Sequence, residues 1–469
     1  MSNSASARIM NRILNTGILV SVATVLFTAL FQKEKYEFIF ILPMMFCISL
    51  VPKYTRRSIA TFLCIRLYYV LLFVTYVITP LLLTLTGYIS VAGIEPSNSA
   101  INTAIFLLAY IRVVLMIVTE SVAHKSINRF VAFSENSISQ DPSQSVVIFF
   151  YACVLLIVAI GIFLGGYYSD YRWFWEETTR YVNATSNTSI EILFRFCAIL
   201  LHCSVPMIVI FLTRRSFEKN ILTRVFTYII CVFTICLVRG DNRLMIVVLC
   251  LSTLCYLNAV HPRFRAINNM VVASISIASI VIVTLMKSFS NPDYSGLYSL
   301  VRLLQMYVPT PRDVGLSVDI ANSSNFLIRL STIPQDYIGS INIIGKLGSF
   351  FSSQSSNSLY NLYVSAGKYY GDAFGQIMMI SGQGYYHFGF ILAPVYEIII
   401  IKIIFKCDTY IASAKKDSLI LYSVFYVGFL TAFAPCLSIS GYMQTLSWGG
   451  GALLLILFLF NKYKVRFGR

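Results

Sequence analysis

Hydrophobic residues along this chain occur in long blocks that are separated by shorter polar segments. Most blocks contain roughly 17 to 25 residues, the length that an α-helix needs to cross a bilayer. Because lipid offers no hydrogen-bond partner to an open backbone, each block is expected to close its own hydrogen bonds as a helix. The pattern therefore predicts about twelve membrane spans, at residues 13–31, 36–52, 60–89, 101–120, 145–166, 190–212, 221–238, 244–260, 269–287, 385–405, 419–438 and 443–460.

The composition favours the same fold class. Of the 469 residues, 57% are hydrophobic and only 12% are charged. That leaves too little polar surface to cover a water-soluble globule of this size. We therefore predict an all-α polytopic integral membrane protein.

The basic residues predict its orientation, since Lys and Arg near the ends of spans favour the cytoplasmic side. With the N-terminus inside, the cytoplasmic segments hold most of them, including Lys53, Arg56, Arg57, Lys125, Arg129, Arg214, Arg215, Lys415 and Lys416. The basic tail from Lys462 to Arg469 independently predicts a cytoplasmic C-terminus. The net charge of +16 is therefore mainly a topology signal. Because these residues do not form a continuous stripe, no nucleic-acid partner is expected.

One polar excursion, residues 288–384, is long enough to be a domain-sized loop on the outer side of the membrane. The predicted division is thus 1–287 with spans one to nine, 288–384 as the large loop, and 385–469 with spans ten to twelve and the basic tail. Within the loop, the residues on one helical face are Leu297, Leu300, Val301, Leu304 and Val308. The pattern predicts a helix that ends at Pro309 and lies at the membrane interface or packs on the membrane domain.

Two further outer segments carry candidate ligand contacts. The loop after span five has aromatic residues beside carboxylates, at Tyr171, Trp173, Trp175 and Glu176. This combination suits a sugar, although it is also typical of the aromatic belt at a membrane interface. The tight turn from Arg239 to Arg243 keeps two cations on the outer side, where either Asp241 or a bound anion offsets them.

Two charged residues fall deep within predicted spans, namely Arg112 and Glu397. Charges at that depth require partners, so we expect them to pair with each other and to join spans four and ten. The same residues are also compatible with proton-coupled transport.

Two short motifs give the chain a resemblance to a known family. Gly240, Asp241, Asn242 and Arg243 place an arginine at the start of a span after a glycine-containing turn. The segment from Gly382 to Gly389 is a glycine- and aromatic-rich start to the span that follows the large loop, with Gln383 where family members often carry an acid. Together with the topology, these motifs resemble the O-antigen polymerase family.

The resemblance implies a GT-C-like membrane glycosyltransferase of the bacterial inner (cytoplasmic) membrane, with the large loop in the periplasm. Such an enzyme joins undecaprenyl-diphosphate-linked oligosaccharide repeat units into O-antigen or a related surface polysaccharide. Its expected partners are these lipid-linked glycans, membrane lipids, a chain-length regulator protein and a flippase. No metal or other cofactor is expected, and the sequence has no metal-ligand cluster or phosphate-binding glycine loop.

The implied chemistry assigns roles to individual residues. Arginines that stabilise the diphosphate leaving group are predicted to be Arg243, Arg239, Arg312 and Arg329. The base for the acceptor hydroxyl is predicted to be His387, because histidine exchanges a proton near neutral pH, with Asp336 and Asp372 as alternatives. The predicted sugar contacts are Tyr171, Trp173, Trp175, Glu176 and Tyr386.

Two other functions stay open at this point. The same helices could form a lipid-oligosaccharide flippase or another transporter, although such folds usually show internal repeats and short outer loops. An O-antigen ligase, which moves finished glycan to lipid A, would share both the loop and the arginines.

Overall fold

The structure is a computed structural model that describes residues 3–87, 94–133, 144–165, 171–173, 189–239, 243–274, 277–278, 296–341, 354–365 and 377–462. These residues are almost entirely helical, as the sequence predicts. Four helices are long and apolar enough to cross a membrane, or up to seven if each bent pair is one span. Shorter apolar helices cover Phe150–Ile160, Ile221–Cys236 and Leu419–Ala432. The protein is thus an all-α membrane protein, with four to seven candidate spans among the described residues.

The described backbone divides into two compact units, each made of three chain segments. The first unit comprises Met1–Ser134, Asp293–Ala412 and Thr431–Gln444, and the second comprises Glu135–Pro292, Ser413–Leu430 and Thr445–Arg469. The sequence-predicted boundary at 287/288 lies close to the change of unit after Pro292, whereas the boundary at 384/385 falls inside the first unit. The described helices of the predicted loop therefore belong to the same unit as the N-terminal helices.

Six helices form the N-terminal segment of the first unit: α1 (Asn3–Leu30), α2 (Ile41–Ser49), α3 (Lys53–Thr61), α4 (Leu63–Phe73), α5 (Thr79–Thr86) and α6 (Asn98–Phe133). A π-helical turn, Val74–Ile78, joins α4 to α5. Pro80 cannot donate a backbone hydrogen bond, and the wider turn before it accommodates that loss. Residues Leu63–Thr86 consequently remain one apolar stretch long enough to span a membrane.

Carboxylates from distant helices cap three of these helices at their N-termini. Asp408 accepts hydrogen bonds from the backbone N–H groups of Leu63, Cys64 and Ile65 at 3.1, 2.8 and 2.9 Å, at the start of α4. Glu120 likewise receives the N–H of Thr55 at 2.7 Å in α3, and Asp319 receives that of Ser97 at 2.8 Å before α6. The first N–H groups of a helix lack intrahelical acceptors, so each carboxylate both satisfies donors and opposes the positive helix end.

The second unit contains α7 (Gln144–Gly165), α8 (Ser189–Thr213), α9 (Ile221–Cys236), α10 (Arg243–Val260) and the short α11 (Arg265–Asn268). It also contains two short antiparallel strands, β1 (Tyr171–Trp173) and β2 (Leu237–Arg239). In their register Tyr171 lies opposite Arg239, and Trp173 lies opposite Leu237. The backbone of Tyr171–Trp173 therefore runs beside that of Leu237–Arg239.

The predicted large loop contributes α12 (Leu297–Tyr307), α13 (Pro311–Ser323), α14 (Phe326–Ser331), α15 (Ile333–Tyr337) and α16 (Ser356–Ser365). The helix predicted before Pro309 is confirmed as α12. Val301 and Val308 are buried, whereas Leu297 and Leu300 remain 42% and 47% exposed. Helix α12 packs against α5, but this contact covers only part of its apolar face.

The C-terminal segment contains α17 (Ile380–Leu392), α18 (Val395–Ser413), α19 (Leu419–Ala432), α20 (Ile439–Trp448) and α21 (Gly450–Lys462). Helix α13 packs against both α6 and α17 at small residues. A Cβ on Gly315 would lie 3.2 Å from Pro96, and one on Gly382 would collide with Ser317. Small residues let the helix axes approach closely, which explains why α13 is buried along most of its length.

The single span predicted at 385–405 is wrong in one respect, because the chain turns by 108° between α17 and α18. Gly389 has φ +75°, a left-handed conformation that favours glycine, and Pro394 precedes α18. A Cβ on Gly384 would collide with the Ala393 carbonyl, so only glycine permits the fold-back. The apolar run continues through the turn, and the pattern of hydrophobic residues therefore does not reveal it.

Candidate functional site

The first unit buries a hydrogen-bonded pair formed by His387 of α17 and Asp336 of α15. Both side chains are fully buried, and the imidazole Nε2 lies 3.3 Å from the Asp336 Oδ2. Nε2 also lies 3.0 Å from the Thr332 hydroxyl, and Nδ1 lies 2.6 Å from the Tyr396 hydroxyl. The sequence predicts His387 and Asp336 only as alternative bases, whereas the structure brings them into contact.

The hydrogen-bond pattern indicates which imidazole nitrogen carries the proton. Thr332 has a single hydroxyl hydrogen, which it donates to the Arg329 carbonyl at 2.8 Å, so its oxygen must accept from His387. Nε2 therefore carries a proton, and in the neutral imidazole Nδ1 accepts from the Tyr396 hydroxyl. Tyr337 contacts the same Tyr396 hydroxyl, and burial raises the pKa of Tyr337 to about 12, which keeps its phenol protonated.

Gln383 connects this pair to three other segments. Its Nε2 donates to Asp336 Oδ2 at 3.1 Å and to Ser356 Oγ at 2.7 Å, while its Oε1 accepts from the Ile439 N–H at 2.7 Å. Because a backbone N–H can only donate, the Ile439 contact fixes which end of the amide is oxygen. Gln383 thus positions the same carboxylate oxygen that faces His387.

The N-terminus of α16 supplies the remaining partner of the carboxylate. Ser356, the first residue of that helix, donates its backbone N–H to Asp336 Oδ1 at 3.1 Å. A carboxylate at a helix N-terminus is stabilised by the unpaired N–H groups there. Asp336 therefore meets donors from α16 and α17, and both of its oxygens are held in place.

Among the arginines predicted to bind the diphosphate, Arg329 of α14 is connected to His387 by hydrogen bonds through Thr332. Its guanidinium donates to the carbonyl of Tyr386 at 3.2 Å and lies 5.4 Å from the Phe326 ring centroid. Its carbonyl accepts the Thr332 hydroxyl that contacts His387. Arg329 is half-buried as a residue, and its Nε is shielded from solvent.

A polar cleft of about 440 Å³ opens beside the buried pair. The described residues that line it are Gln335, Gly339, Ser340, Ser355, Asn357, Ile377, Leu437, Ser438, Ser440, Gly441 and Gln444. Gln335 and Ser355 directly precede Asp336 and Ser356 in the chain, and Ser438 precedes Ile439. The backbone segments that form the cleft therefore also carry the partners of the buried carboxylate and of Gln383.

Comparison with known proteins adds no name to this site. No protein-family model, curated protein or solved structure matches the chain. Its function is therefore inferred from the chemistry of the residues. Among the residues that the structure describes, no three His, Cys, Asp or Glu side chains are placed to hold a metal ion.

Two predicted ligand contacts are buried away from this cleft. Arg312 is fully buried and forms a 3.0 Å ion pair with Asp313. Burial raises the pKa of Asp313 to about 6, against the opposing effect of Arg312 and the Thr310 hydroxyl. Tyr386 belongs to a hydrophobic cluster with Leu316, Ile320, Ala321, Tyr360, Val364 and Met378. As placed, neither side chain is accessible to a ligand.

The other predicted site residues lie in the second unit or outside the described residues. For Tyr171, Trp173, Arg239 and Arg243 only the backbone is described, in β1, in β2 and at the start of α10. Trp175, Glu176 and Asp372 lie outside the described residues. Their assigned roles stay predictions.

The predicted contact between Arg112 and Glu397 is not formed. The Arg112 guanidinium stacks over Tyr69, 4.8 Å from the ring centroid, and none of its nitrogens bonds to Glu397. Glu397 instead accepts from the hydroxyls of Ser381 and Tyr68.

The sequence gives little indication of the residues that complete the site. Thr332, Ser356 and Tyr396 are common residue types, and their roles depend on folding that joins distant segments. Gln383 is 47 positions from Asp336. Its one sequence signal is its place within the glycine-rich segment before the break in the helix.

Proposed function

We propose that this protein transfers a growing glycan from undecaprenyl diphosphate to a hydroxyl of an incoming lipid-linked repeat unit, as an O-antigen polymerase. In this proposal it is a GT-C-like protein of the bacterial inner membrane, with about twelve spans and cytoplasmic termini. Residues 288–384 then lie on the periplasmic side, where a flippase would deliver the substrate and a chain-length regulator would act.

The observation that carries the proposal is the His387–Asp336 pair behind a cleft of amide and hydroxyl groups. Asp336 lies 3.3 Å from His387 Nε2, and both groups are fully buried. A histidine whose N–H faces a carboxylate is held in one orientation, and the carboxylate stabilises the imidazolium that forms when the other nitrogen takes a proton. This arrangement suits removal of a proton from an acceptor hydroxyl.

The bond changes in the proposed reaction balance without a cofactor. The acceptor oxygen forms a bond to the anomeric carbon of the donor, and the bond from that carbon to the diphosphate oxygen breaks with its electron pair. The hydroxyl proton passes to His387 Nδ1 once Tyr396, which occupies that nitrogen at 2.6 Å, has moved or relayed it. Asp336 remains ionised and balances the new positive charge.

The leaving diphosphate requires cationic donors, and Arg329 is the best placed of the predicted arginines. It is linked to His387 through Thr332, and its side chain is half-buried. Arginine can hold phosphate oxygens with two N–H groups at once. The roles that the sequence predicts for Arg239 and Arg243, which belong to the second unit, stay predictions.

Reconstitution tests the proposal directly. Purified protein in liposomes is supplied with lipid-linked repeat units, and the products are resolved as a ladder of chain lengths. We expect His387→Ala and Arg329→Ala to reduce elongation by about 100-fold or more, and the same assay tests Arg243→Ala. The matched control is His124→Gln, an exposed histidine of α6 beside Tyr54, which should elongate as wild type does. Normal elongation by His387→Ala would reject its role as the base.

Genetics separates polymerase, ligase and flippase. Loss of a polymerase leaves single repeat units on the cell surface, and loss of a ligase leaves none. Loss of a flippase strands the repeat units inside the cell. A deletion strain that keeps single repeat units at its surface is the expected result, and either of the other outcomes would overturn the proposal.

Transport is the second candidate, because Arg112 and Glu397 are both buried within apolar helices of the first unit. Buried ionisable groups at such positions often mark ion pathways. Glu397→Gln keeps both hydroxyl contacts possible but removes the charge. Movement of substrate across proteoliposomes by the wild-type protein, without elongation and with loss of that movement in Glu397→Gln, would favour transport.

A further inference from the structure

The cleft beside the buried pair has a lining that indicates its ligand. Of the described lining residues, seven carry an uncharged amide or hydroxyl: Gln335, Ser340, Ser355, Asn357, Ser438, Ser440 and Gln444. Ile377 and Leu437 add apolar surface. Neutral hydrogen-bonding groups with a small apolar area match a sugar ring, which has hydroxyls on its edge and C–H groups on its faces.

We propose that this cleft binds one or two uncharged sugar residues of the acceptor glycan. The identity of the bound glycan as the acceptor rests on the proposed function. Sugar binding in the cleft does not depend on catalysis. The volume of about 440 Å³ lies within the range of roughly 300–1,000 Å³ that is common for small-molecule sites.

Asn357 lines the cleft, and its amide oxygen already accepts a backbone hydrogen bond. The Met378 N–H donates to its Oδ1 at 2.8 Å, which fixes that atom as the oxygen. The Nδ2 group then presents two hydrogens that a sugar hydroxyl can accept. Ser438 and Ser440 contact each other at 3.0 Å, and Ser438 also receives the Gly441 N–H, so this wall is internally held.

Gln335 supplies an acceptor that has no hydrogen bond to a described residue. Its Oε1 is shielded from solvent, and its side chain folds over Gly339, where any Cβ would collide with it. Because that oxygen is buried without a donor, its free-energy cost would be recovered if the amide turned it toward a sugar hydroxyl on binding. Glycine at position 339 makes room for this placement.

A charged sugar fits this lining poorly. A carboxylate that enters the cleft loses water and meets only neutral donors among the described lining residues. Desolvating an ion without an opposite charge is far more costly than desolvating a hydroxyl that finds a hydrogen bond. The cleft should therefore select neutral sugars over uronic acids.

Occupation of the cleft also bears on the buried pair, since the two share backbone. Gln335 is adjacent to Asp336, and Ser355 is adjacent to Ser356. A sugar that contacts Gln335 therefore lies one residue from the carboxylate that faces His387.

A glycan array tests the proposal with full-length protein in lipid nanodiscs. The probes are defined neutral oligosaccharides, each paired with a counterpart in which one residue is a uronic acid. We expect neutral members to be retained and their uronate counterparts to bind at least about tenfold more weakly, a difference of roughly 1.4 kcal/mol.

Two cleft variants and one control complete the experiment. Ser440→Trp fills the cleft, and Gln335→Ala removes an acceptor without adding bulk; each should weaken binding about tenfold. Ser323→Trp places the same ring at an exposed position of α13 and should bind as wild type does. Equal binding of uronate glycans, no retained neutral glycan, or wild-type binding by both cleft variants would overturn the proposal. Neutral-sugar binding without elongation would reject only the proposed polymerase function.

Discussion

Replacing Asp336 with asparagine should damage both the fold and the activity. Its carboxylate accepts the Ser356 N–H at 3.1 Å on one oxygen, and on the other it accepts Gln383 Nε2 at 3.1 Å and faces His387 Nε2 at 3.3 Å. Asparagine offers one acceptor oxygen, so its NH₂ group must face a donor on the other side. The substitution keeps the size of the side chain and changes only its charge and hydrogen bonding.

The expected loss of stability follows from these contacts. A buried donor without an acceptor costs about 1–3 kcal/mol. Gln383 and His387 each keep a second acceptor, in Ser356 Oγ and Thr332 Oγ1, which limits the loss. We expect Asp336→Asn to lower the free energy of unfolding by roughly 2–3 kcal/mol. The elongation rate should fall by about 100-fold or more, because the imidazolium loses its counter-charge.

The matched control is Asp408→Asn, which also alters a buried carboxylate in the first unit. Its Oδ1 can still accept Leu63 and Cys64, so only the bond from Ile65 is lost, at a cost of about 1–2 kcal/mol. Thermal unfolding in detergent measures stability, and ladder formation per folded molecule measures activity. Equal rates for the two variants would refute a specific role for Asp336.

Three further changes test the fold. Alanine in Gly389→Ala must adopt φ near +75°, so the free energy of unfolding should fall by about 1–2 kcal/mol. The control is Gly17→Ala, whose added Cβ meets open space in α1 and should not destabilise the protein. Thermal unfolding compares the two variants. Arg312→Met leaves Asp313 buried without its counter-charge and should cost about 3–5 kcal/mol, with recovery when Asp313→Leu is added. The folded pKa of Asp313 is raised from 3.8 to about 6, so its contribution to stability is full below pH 3.8 and is lost as the pH rises through 6. That loss is roughly 3 kcal/mol and should be absent from pH titrations of Asp313→Asn.

The apolar blocks predict the helices well, because bilayer length and backbone hydrogen bonding leave few alternatives. The sequence predicts a helix at 297–308, and α12 occupies Leu297–Tyr307, since Pro309 limits it. The fold-back after Leu392 is not predictable in the same way. It depends on a close approach between Gly384 and Ala393, and the residues on either side of the turn are as apolar as those of a straight span.

The site could be predicted residue by residue but not as an arrangement. His387 and Asp336 are identifiable because a titratable side chain in or beside an apolar segment is costly unless it has a role. Their contact depends on how α14, α15 and α17 pack, which helical periodicity does not determine. Gln383 carries no charge, and so its amide gives no signal of its role.

Exchanging the amide of Gln383 with the carboxylate of Asp336 tests whether the site requires its carboxylate at position 336. Gln383→Glu alone would place two carboxylates about 3 Å apart, so one must hold a proton and stability should fall as the pH rises. The double variant Gln383→Glu/Asp336→Asn restores one amide and one carboxylate across the contact that is 3.1 Å long in the native protein. Its stability should therefore return to within about 1 kcal/mol of wild type. Its activity should stay low, because the charge no longer faces His387 Nε2. If the double variant were no more stable than Gln383→Glu, the contact between these two side chains would not be what holds the carboxylate in place.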